Sequence, residues 1–382
     1  MRYIMLLFAF TASALAQESF RAENTNFTIS QGSFIPGEDA RYSYNYDRLR
    51  LYYDYKKDAY FFHTSADAVH YLGRAFTHSE TFDYLEALRA DTPMRIQTAF
   101  QHYSRGASAA KLYRLYGGYQ DDRNRIVAGV QNITMGVGHI WTPSNLFNPK
   151  NSYALEPDET FGVLALSYTR YMGMASQVYG VVSTRKDNSA KYAAGMQTTI
   201  ATAEIALNSI YSNDTKMLGY TIQGNLGDSG IAWRSEGAFI RGKLRTADGE
   251  AEESNFFQGL VGADYGFAQG LTLSVEALYS SKTFDLDTYV ANINSELTNN
   301  LTLSHFYLGT ELSYDFTLYL SGSLLYIESF NNENSRFIAP SLSYIINDNN
   351  TLTLGAQLYS GAKKSEFGRW KNSYFLKYVL SW

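Results

Sequence analysis

The last ten residues of the chain, SYFLKYVLSW, alternate between two faces with a period of two. One face is apolar throughout and consists of Tyr374, Leu376, Tyr378, Leu380 and Trp382. The other face carries polar side chains, since it includes Lys377 and Ser381. Successive side chains of a β-strand point to opposite sides, whereas a helix repeats every 3.6 residues. The pattern therefore predicts a strand that has one apolar face and ends on Trp382.

The same period recurs along most of the chain, and convincing amphipathic helices are almost absent. Each candidate strand has roughly the 9–11 residues, or slightly more, that a tilted strand needs to cross a membrane. Residues 49–55 and 60–65 also look like strands, whereas residues 66–91 have no clean period and are compatible with a short helix. The remaining candidates lie near residues 93–103, 109–119, 123–135, 160–171, 175–185, 190–200, 202–212, 216–226, 230–241, 255–266, 271–283, 303–314, 317–328, 336–346 and 350–360.

The connections between these strands alternate in length. INDNN, DFT and FAQG are short, whereas GKLRTADGEAEES and the stretch around residues 136–159 are long. Transmembrane barrels combine short periplasmic turns with long extracellular loops, and they usually have an even number of strands. We therefore predict a single antiparallel barrel of about 16–18 strands over residues 47–382. Residues 17–46 are polar and turn-rich, and we expect a periplasmic segment or a lead-in to the first strand there.

The amino terminus, MRYIMLLFAFTASALAQ, is typical of a secretory signal peptide. Arg2 precedes an apolar run from Tyr3 to Phe10, and Ala14-Leu15-Ala16 fits an A-x-A cleavage site. The run is too short to span a membrane as a helix. Residues 1–16 are therefore predicted to be removed during export.

Composition supports a membrane barrel and excludes other classes. The chain has 32 Tyr, 23 Phe and 29 Gly, no Cys, and a mean hydropathy of −0.27. A barrel explains this balance, because its lipid face is apolar, its lumen is polar and aromatic residues gather at both interfaces. The net charge of −5 lacks the basic stripe of a nucleic-acid-binding protein. The lack of Cys excludes thiol catalysis and Cys-ligated metals.

The terminal strand, with its apolar face and final Trp382, resembles the carboxy-terminal strand signal of Gram-negative outer-membrane barrels. This resemblance implies a location in the bacterial outer membrane, surrounded by its lipids. It also implies delivery by the barrel assembly machinery, which would recognise Tyr374, Leu376, Tyr378, Leu380 and Trp382.

The alternation also predicts which side chains face the lumen, because charge facing lipid is costly in the middle of the membrane. On residues 109–119 we expect Tyr113, Leu115 and Gly117 to face lipid and Arg114 to face inward. The full set of predicted pore-lining residues is Arg95, Arg114, Arg125, Arg234, Glu236, Asp264, Glu276, His305, Glu311 and Lys377. Arginines would then lie nearly opposite acidic residues, which suggests a transverse field across a water-filled lumen. Local pairing of these charges at different heights is the alternative.

Residues 136–149, GVGHIWTPSNLFNP, contain a Gly-x-Gly and two prolines. They are not a phosphate-binding loop, because no helix follows to supply an amino-terminal dipole. With its flanks, the stretch resembles a pattern in poorly characterised Gram-negative barrels: G-x-Q, then G-x-G-x-x-W-x-P, then L-F-N-P and an acidic residue. The resemblance covers about 40 residues and implies a porin-like outer-membrane protein. The matching positions are Gly129, Gln131, Gly136, Gly138, Trp141, Pro143, Leu146, Phe147, Asn148, Pro149 and Glu159.

Proline limits the backbone, so this long connection is expected to be ordered. Either it enters the lumen and narrows the pore, or it packs on the rim as a surface loop. The candidate constriction residues are Trp141, Pro143, Phe147, Asn148, Glu156, Asp158 and Glu159.

No catalytic or metal-binding pattern stands out. Gly227-Asp228-Ser229-Gly230 spells a protease-like tetrapeptide, but these are ordinary turn residues and no matching His and Asp accompany them. The six histidines are scattered. We therefore expect a passive channel for small hydrophilic solutes, without cofactor, metal or nucleic acid, and with a homotrimer as one possible assembly. The alternatives are a structural or surface-interaction barrel with a filled lumen and, less favoured, an outer-membrane hydrolase.

Overall fold

The computed structural model describes residues 16–33, 35, 38–246, 248–330, 334–363 and 365–382. Almost all of the predicted signal peptide lies outside these residues, so its cleavage stays a prediction. None of the helices in the described ranges is long and apolar enough to cross a membrane.

The fold consists almost entirely of β-strands joined by turns and loops. Three short helices, α1 (Arg74–Thr77), α2 (Glu80–Ala87) and α3 (Leu286–Ala291), lie in the loops, together with one 3-10 turn at Thr298–Asn300. The strands are β1 (Gln17–Gly32), β2 (Arg41–Lys57), β3 (Tyr60–Leu72), β4 (Gln101–Tyr103), β5 (Gly106–Gln120), β6 (Asn124–Gln131), β7 (Val163–Tyr171), β8 (Ser176–Thr184), β9 (Ala190–Ile200), β10 (Ala203–Tyr211), β11 (Thr215–Asn225), β12 (Ile231–Arg245), β13 (Ala251–Gly266), β14 (Leu271–Ser280), β15 (Phe306–Asp315), β16 (Leu320–Phe330), β17 (Ser335–Asn347), β18 (Asn350–Ser360) and β19 (Ser373–Ser381).

The strands close into a barrel. Within the described part of the chain every neighbouring pair is antiparallel, β3 pairs with β5, and β1 pairs with both β2 and β19. Since β4 is only a short addition beside β5, eighteen strands form the ring. Closure removes the exposed sheet edges, which is the condition for placing strands in a bilayer. The predicted all-β, antiparallel barrel of about 16–18 strands is confirmed.

The two ends of the barrel differ. At one end the connections are tight turns, for example at Asp58, whose φ of 51° is left-handed. At the other end lie the long connections 73–105, 132–162, 281–305 and 361–372. The helix α2 begins at Ser79, whose side chain accepts a hydrogen bond from the amide of Phe82, and it confirms a short helix within residues 66–91. Gly227 and Gly230 have positive φ in a tight turn, as expected for the protease-like tetrapeptide.

The prediction for residues 17–46 was wrong. Instead of a periplasmic lead-in, β1 is a full barrel strand of 16 residues that joins β19 to β2 and closes the ring. The strand was missed because both of its faces carry polar residues, so no apolar side alternates with a polar one.

The prediction of a membrane strand at residues 93–103 was also wrong. Only Gln101–Tyr103 form a strand, although the amide of Thr98 donates to the carbonyl of Ala110 at 2.9 Å along the free edge of β5. Arg95 is exposed in the loop that precedes this strand and is not a wall residue. Residues 93–103 alternate between polar and apolar side chains, yet they lie at the rim of the barrel. They run beside the part of β5 that the shorter strand β6 does not pair with.

Two further orientations differ from the prediction. Ser65 pairs with Arg114 and Ala66 with Leu112, so Tyr113 is the extra residue of a β-bulge. The bulge shifts the alternation by one, and Tyr113 faces inward together with Arg114. His305 precedes β15, and its exposed ring contacts the carbonyl of Ser280 at 2.7 Å.

Candidate constriction inside the barrel

Residues 132–162, here called the inner loop, connect the adjacent strands β6 and β7. A surface loop between neighbouring strands would stay close to them and remain exposed. Residues 142–148 of the inner loop are instead all buried, and Ser144 and Asn145 are fully so. The loop must therefore lie inside the barrel.

The base of the inner loop is closed by asparagine side chains. Asn148 accepts a hydrogen bond from the amide of Ile133 at 2.7 Å and donates to the carbonyl of Phe161. Asn145 in turn donates to the carbonyl of Asn148 at 2.8 Å. An amide side chain both donates and accepts, so Asn148 can join the two ends of the loop.

The tip of the inner loop is held by two carboxylates, Glu236 on β12 and Glu276 on β14, here called the acidic anchor. Glu236 accepts from the backbone amides of Val137 at 2.8 Å, Gly138 at 3.1 Å and Ser144 at 2.7 Å. The hydroxyl of Ser144 donates to it as well, at 2.8 Å. The carboxylate is fully buried, and these donors replace the water that it would otherwise bind.

Glu276 binds the next part of the tip in the same way. It accepts from the amides of His139 at 2.6 Å and Ile140 at 2.9 Å, and from the guanidinium of Arg234 at 2.7 Å. Arg234 also pairs with Asp264. The structure thus brings together four predicted pore-lining residues, because alternate residues of β12, β13 and β14 share one inner face.

Two glycines of the motif allow the tip to approach the acidic anchor. A Cβ on Gly136 would lie 2.9 Å from both carboxylate oxygens of Glu236. A Cβ on Gly138 would lie 1.7 Å from the carbonyl oxygen of Trp141, which no side chain can occupy. The Gly-x-Gly spacing therefore serves a tight turn against the wall.

Apolar contacts complete this side of the lumen. Ile140 is buried in a cluster with wall residues that include Leu260 and Leu278, and the ring of Trp141 lies 5.9 Å from that of Tyr307. A Cβ on Gly309 would lie 2.4 Å from the end of the Ile140 side chain. The loop tip thus rests on the wall of β13–β15.

The far part of the inner loop meets a set of cations, Arg48 and Arg50 on β2 and Lys377 on β19, here called the basic anchor. Arg48 donates to both oxygens of Glu156, at 2.9 and 3.1 Å. Lys377 donates to the same carboxylate at 3.1 Å. Lys377 therefore faces inward as predicted.

Arg50 binds Glu159 through two hydrogen bonds of 2.9 and 2.8 Å and binds Asp67 of β3 through two more. Its guanidinium lies 3.5 Å from the centroid of the Tyr113 ring. Burial of Glu159 opposes ionisation, but the hydrogen bonds from Arg50 and the charges of Arg48 and Arg50 prevail and lower its pKa to about 2. Glu159 is therefore ionised at neutral pH.

The sequence prediction missed Arg48 and Arg50. The stretch LRLYYDY was recognised as a strand, and its apolar Leu49 and Leu51 alternate with the two arginines. The parity rule applied to residues 93–131 would have placed both arginines inside.

The remaining loop candidates have different surroundings. The carboxylate of Asp158 is 80 % exposed and pairs with Lys150 at 2.9 Å, so it does not reach the wall. The carbonyl of Pro143 accepts from Asn300 at 2.9 Å. The ring of Phe147 lies 4.9 Å from the ammonium of Lys191.

Two inward cations are not used to hold the loop through ion pairs. Lys111 lies over the ring of Phe161, and Arg114 donates to the carbonyls of Tyr113 and Thr160. Neither of them forms an ion pair with any residue that the structure describes. Arg125, as predicted on β6, lies near the short-turn end, 5.6 Å from the centroid of the Phe61 ring. Glu311 is inward on β15 and exposed.

The two anchors lie on opposite sides of the barrel. In the ring of eighteen strands, β12 is the ninth strand after β2. A basic and an acidic group therefore lie opposite each other, but the basic group is Arg48, Arg50 and Lys377 and not the predicted Arg95, Arg114 and Arg125. The inner loop lies between the two groups and binds both. The charged residues of the two anchors hold the loop across the lumen. In addition, Arg234 forms ion pairs with Asp264 and Glu276 on its own side of the barrel.

A third polar cluster joins the outer loops. The ammonium of Lys191 on β9 lies 2.8 Å from Glu296 and 3.3 Å from Asp91, and it donates to the carbonyl of Leu146. Arg185 lies 3.2 Å from Asp91 as well. The connections 73–105, 132–162 and 281–305 thus meet at one buried set of charges. No group of His, Cys, Asp and Glu that could hold a metal ion occurs among the described residues.

Comparison with known proteins identifies solved structures that are similar to this barrel. No protein-family model and no curated protein sequence matches this chain. Acinetobacter baumannii OccAB1 is similar in structure, with a TM-score of 0.64 and 10% identity over 96% of each chain. A BenF-like porin from Pseudomonas fluorescens Pf-5 has a TM-score of 0.60 and 10% identity, covering 97% of this chain and 99% of the porin. The outer membrane protein opdK from Pseudomonas aeruginosa has a TM-score of 0.57 and 8% identity, covering 95% of this chain and 99% of its own. The barrel therefore has the same fold as these three proteins.

Proposed function

We propose that this protein is a porin-like channel for passive diffusion of small hydrophilic solutes across the bacterial outer membrane, in which the inner loop forms the constriction. The observation that carries the proposal is the position of the inner loop. It starts and ends on β6 and β7, yet it is bonded to β12 and β14 on one side and to β2 and β19 on the other. A loop with these contacts narrows any path through the barrel.

The surroundings of the channel follow from the same fold. Outward residues of β19 are the apolar Tyr374, Leu376, Tyr378 and Leu380, which suit outer-membrane lipids. The similar structures include a porin and an outer membrane protein, which agrees with this location. Assembly through the barrel machinery, with the terminal strand as its signal, is part of the proposal.

Selection in such a channel depends on size and charge and requires no cofactor. On the side of the basic anchor, Arg48, Arg50 and Lys377 are bound to carboxylates, so the net positive charge on that side of the constriction comes mainly from Lys111 and Arg114. These two cations would favour the passage of anions over cations. They replace the open transverse field suggested by the sequence, because the field-forming residues are occupied by the inner loop.

A second candidate is a barrel with a filled lumen that serves as a structural or surface-interaction protein. It is favoured by the buried cluster of Lys191, Arg185, Asp91 and Glu296, which joins three outer loops. A filled barrel would not conduct ions. Swelling of liposomes that contain the purified protein in sugars and amino acids separates the two candidates.

The constriction is tested by single-channel recording of the Glu156→Gln/Glu159→Gln variant in planar bilayers. Loss of both loop carboxylates releases the inner loop from the basic anchor, so we expect higher conductance and greater current noise than in the wild type. Asp158→Asn is the matched control, because it neutralises a neighbouring loop carboxylate whose one ion pair among the described residues is with Lys150. Unchanged conductance in the double variant, with the barrel folded, would refute the constriction.

A further inference from the structure

The outer wall of the barrel is polar on one side, and neither the fold nor the proposed channel explains why. On β1, β2 and β3 the side chains of the face opposite the lumen include a carboxylate and several amides and hydroxyls. We call these residues the polar outer face: Asn24, Asn26, Thr28, Ser30, Ser43, Asn45, Asp47 and His70. They face outward because they alternate with Thr25, Phe27, Arg48 and Arg50, which are buried inside.

The register places this face within the membrane band. Asn24 pairs with Leu380, Asn26 with Tyr378 and Thr28 with Leu376 across the seam between β1 and β19. The residues of β19 form an apolar surface that suits lipid tails. On the neighbouring strand β1, the outward positions beside this apolar surface carry amide and hydroxyl side chains.

The most polar member is Asp47, which lies between Asn26 on β1 and His70 on β3. Its carboxylate accepts from the amide groups of Asn24 at 3.1 Å and Asn26 at 2.9 Å, and it forms no ion pair with any residue that the structure describes. Lipid tails offer neither counter-charge nor hydrogen bonds, so a carboxylate facing them is strongly disfavoured. A lipid phosphate headgroup would not stabilise this carboxylate either, because the phosphate and Asp47 are both negatively charged and repel each other.

The same wall is concave. A depression with a volume of about 530 Å³ is lined mainly by outward residues around Ala68 and Ala110, together with Asp47, His70, Thr98, Gln101 and Ser108. Small side chains at its centre and polar ones around it form a recess into which side chains of a partner protein can project.

We propose that the polar outer face is the contact surface for a second copy of this chain within a homo-oligomer. Asn, Ser and Thr both donate and accept hydrogen bonds, so such a surface is complementary to a symmetry-related surface of the same composition. An apolar membrane helix would leave these groups unsatisfied. The proposal requires only that the barrel crosses a membrane, and it is independent of whether the lumen conducts.

The size of the face is adequate. Together with the depression beside it, the face spans four strands, β1, β2, β3 and β5; at about 4.8 Å apart and with a membrane band about 25 Å tall, they give a flat area of roughly 480 Å². Because side chains project from this flat surface, the area that a partner can bury is larger. It approaches the value of about 800 Å² per partner that is typical of standard interfaces.

Cysteine cross-linking tests the contact, because the chain has no natural cysteine. Thr28→Cys introduces a thiol on the polar outer face, and Ser209→Cys introduces one on the outward face of β10, eight strands away. With a short bis-maleimide in native outer membranes, we expect covalent dimers of this chain from Thr28→Cys and only monomer from Ser209→Cys. No covalent dimer from Thr28→Cys, equal cross-linking at both sites, or an adduct with a different protein would overturn the proposal.

A second variant, Asn26→Leu/Asp47→Leu, gives the face the character of a lipid-facing wall. We expect the mass of the complex in mild detergent to fall from that of the oligomer to that of a monomer. Heat-dependent mobility in gel electrophoresis reports whether the barrel is folded, and only folded protein is compared. A wild type that is already monomeric, or a double variant that stays oligomeric, contradicts the assignment of this face.

Discussion

The inner loop is held by two anchors that work through different chemistry. The acidic anchor binds the backbone of the loop, since Glu236 and Glu276 accept hydrogen bonds from amides between Val137 and Ser144. The basic anchor binds side chains, since Arg48, Arg50 and Lys377 reach Glu156 and Glu159.

Burial differs between the anchors as well. Glu236 and Glu276 are 0 % exposed, whereas the side chains of Glu156 and Glu159 are 16 % and 25 % exposed. A fully buried carboxylate depends on every one of its donors, whereas a partly exposed ion pair can exchange its partner for water. The comparison indicates that the acidic anchor fixes the loop and the basic anchor can be loosened without unfolding it.

The largest effect is expected for Glu236→Gln, which breaks the acidic anchor. A glutamine has one acceptor oxygen and turns an NH₂ group towards the amides of the loop, so several buried donors lose their acceptor. We expect the barrel to be about 3–5 kcal/mol less stable in urea titrations and the loop to become sensitive to protease. Glu311→Gln, an inward but exposed carboxylate, is the control and should change neither quantity. Equal effects of the two substitutions would contradict the special role of Glu236.

Gly138→Ala disturbs the same anchor without removing a charge. The added Cβ would collide with the carbonyl oxygen of Trp141, so the tip must move away from Glu276. We expect a destabilisation of about 1–3 kcal/mol, smaller than that of Glu236→Gln because the carboxylates keep part of their donors. Gly266→Ala is the control, because a Cβ there would meet nothing within 4 Å and the backbone of Gly266 is not left-handed. If Gly138→Ala is neutral in urea titrations, the tip is not seated as described.

Lys111 and Arg114, which form no ion pair with any described residue, are expected to affect selectivity. A unit charge about 7 Å from a passing ion contributes about 0.6 kcal/mol in water. Lys111→Gln/Arg114→Gln should therefore shift the permeability ratio towards cations by roughly several-fold, measured as the reversal potential in a salt gradient. Arg95→Gln serves as the control, because Arg95 is exposed in an outer loop. A shift of the same size in the control would show that the effect does not arise at the constriction.

The smallest effect is expected from mild acid. The pKa of Glu159 is about 2, below the ordinary value of about 4.3 in an unfolded chain. A lowered pKa means that the ionised group adds stability above the unfolded value, and that this stability is lost as the pH falls towards 2. Single-channel conductance should therefore stay constant from pH 7 to about pH 5 and rise only in stronger acid. An increase between pH 7 and 6 would show that another group controls the loop.

The barrel could be predicted from the sequence because lipid and lumen impose opposite demands on alternate residues. This rule placed Lys377, Arg234 and Glu276 correctly inside. It failed for β1, whose outward Asn24 and Asn26 do not look like a lipid face, and this failure is the same observation that supports an oligomer contact. It also failed at Tyr113, because one extra residue in a bulge reverses the alternation and leaves no mark in the sequence.

Less of the candidate site than of the fold could be predicted from the sequence. The motif residues Trp141, Asn148 and Glu159 were singled out, but nothing local shows that a loop between β6 and β7 reaches β2 and β12. Those contacts join residues about 100 positions apart. They depend on the curvature of the closed barrel, which brings distant strands to face each other.

A disulfide between the inner loop and β11, four strands away from β7, tests the central claim most directly. Ser144 of the inner loop lies against Gly219 of β11, where an added Cβ would be 3.0 Å from the Ser144 Cβ and 2.3 Å from the side-chain oxygen of Asn208, so Asn208→Ala is added to both cysteine pairs. The cysteine pair Ser144→Cys/Gly219→Cys should form an intramolecular disulfide on mild oxidation, whereas Asp158→Cys/Gly219→Cys should not, provided that both proteins are folded. A disulfide in the first pair alone is the result that a loop crossing the lumen predicts. Absence of that disulfide in the folded barrel would show that the loop does not reach β11.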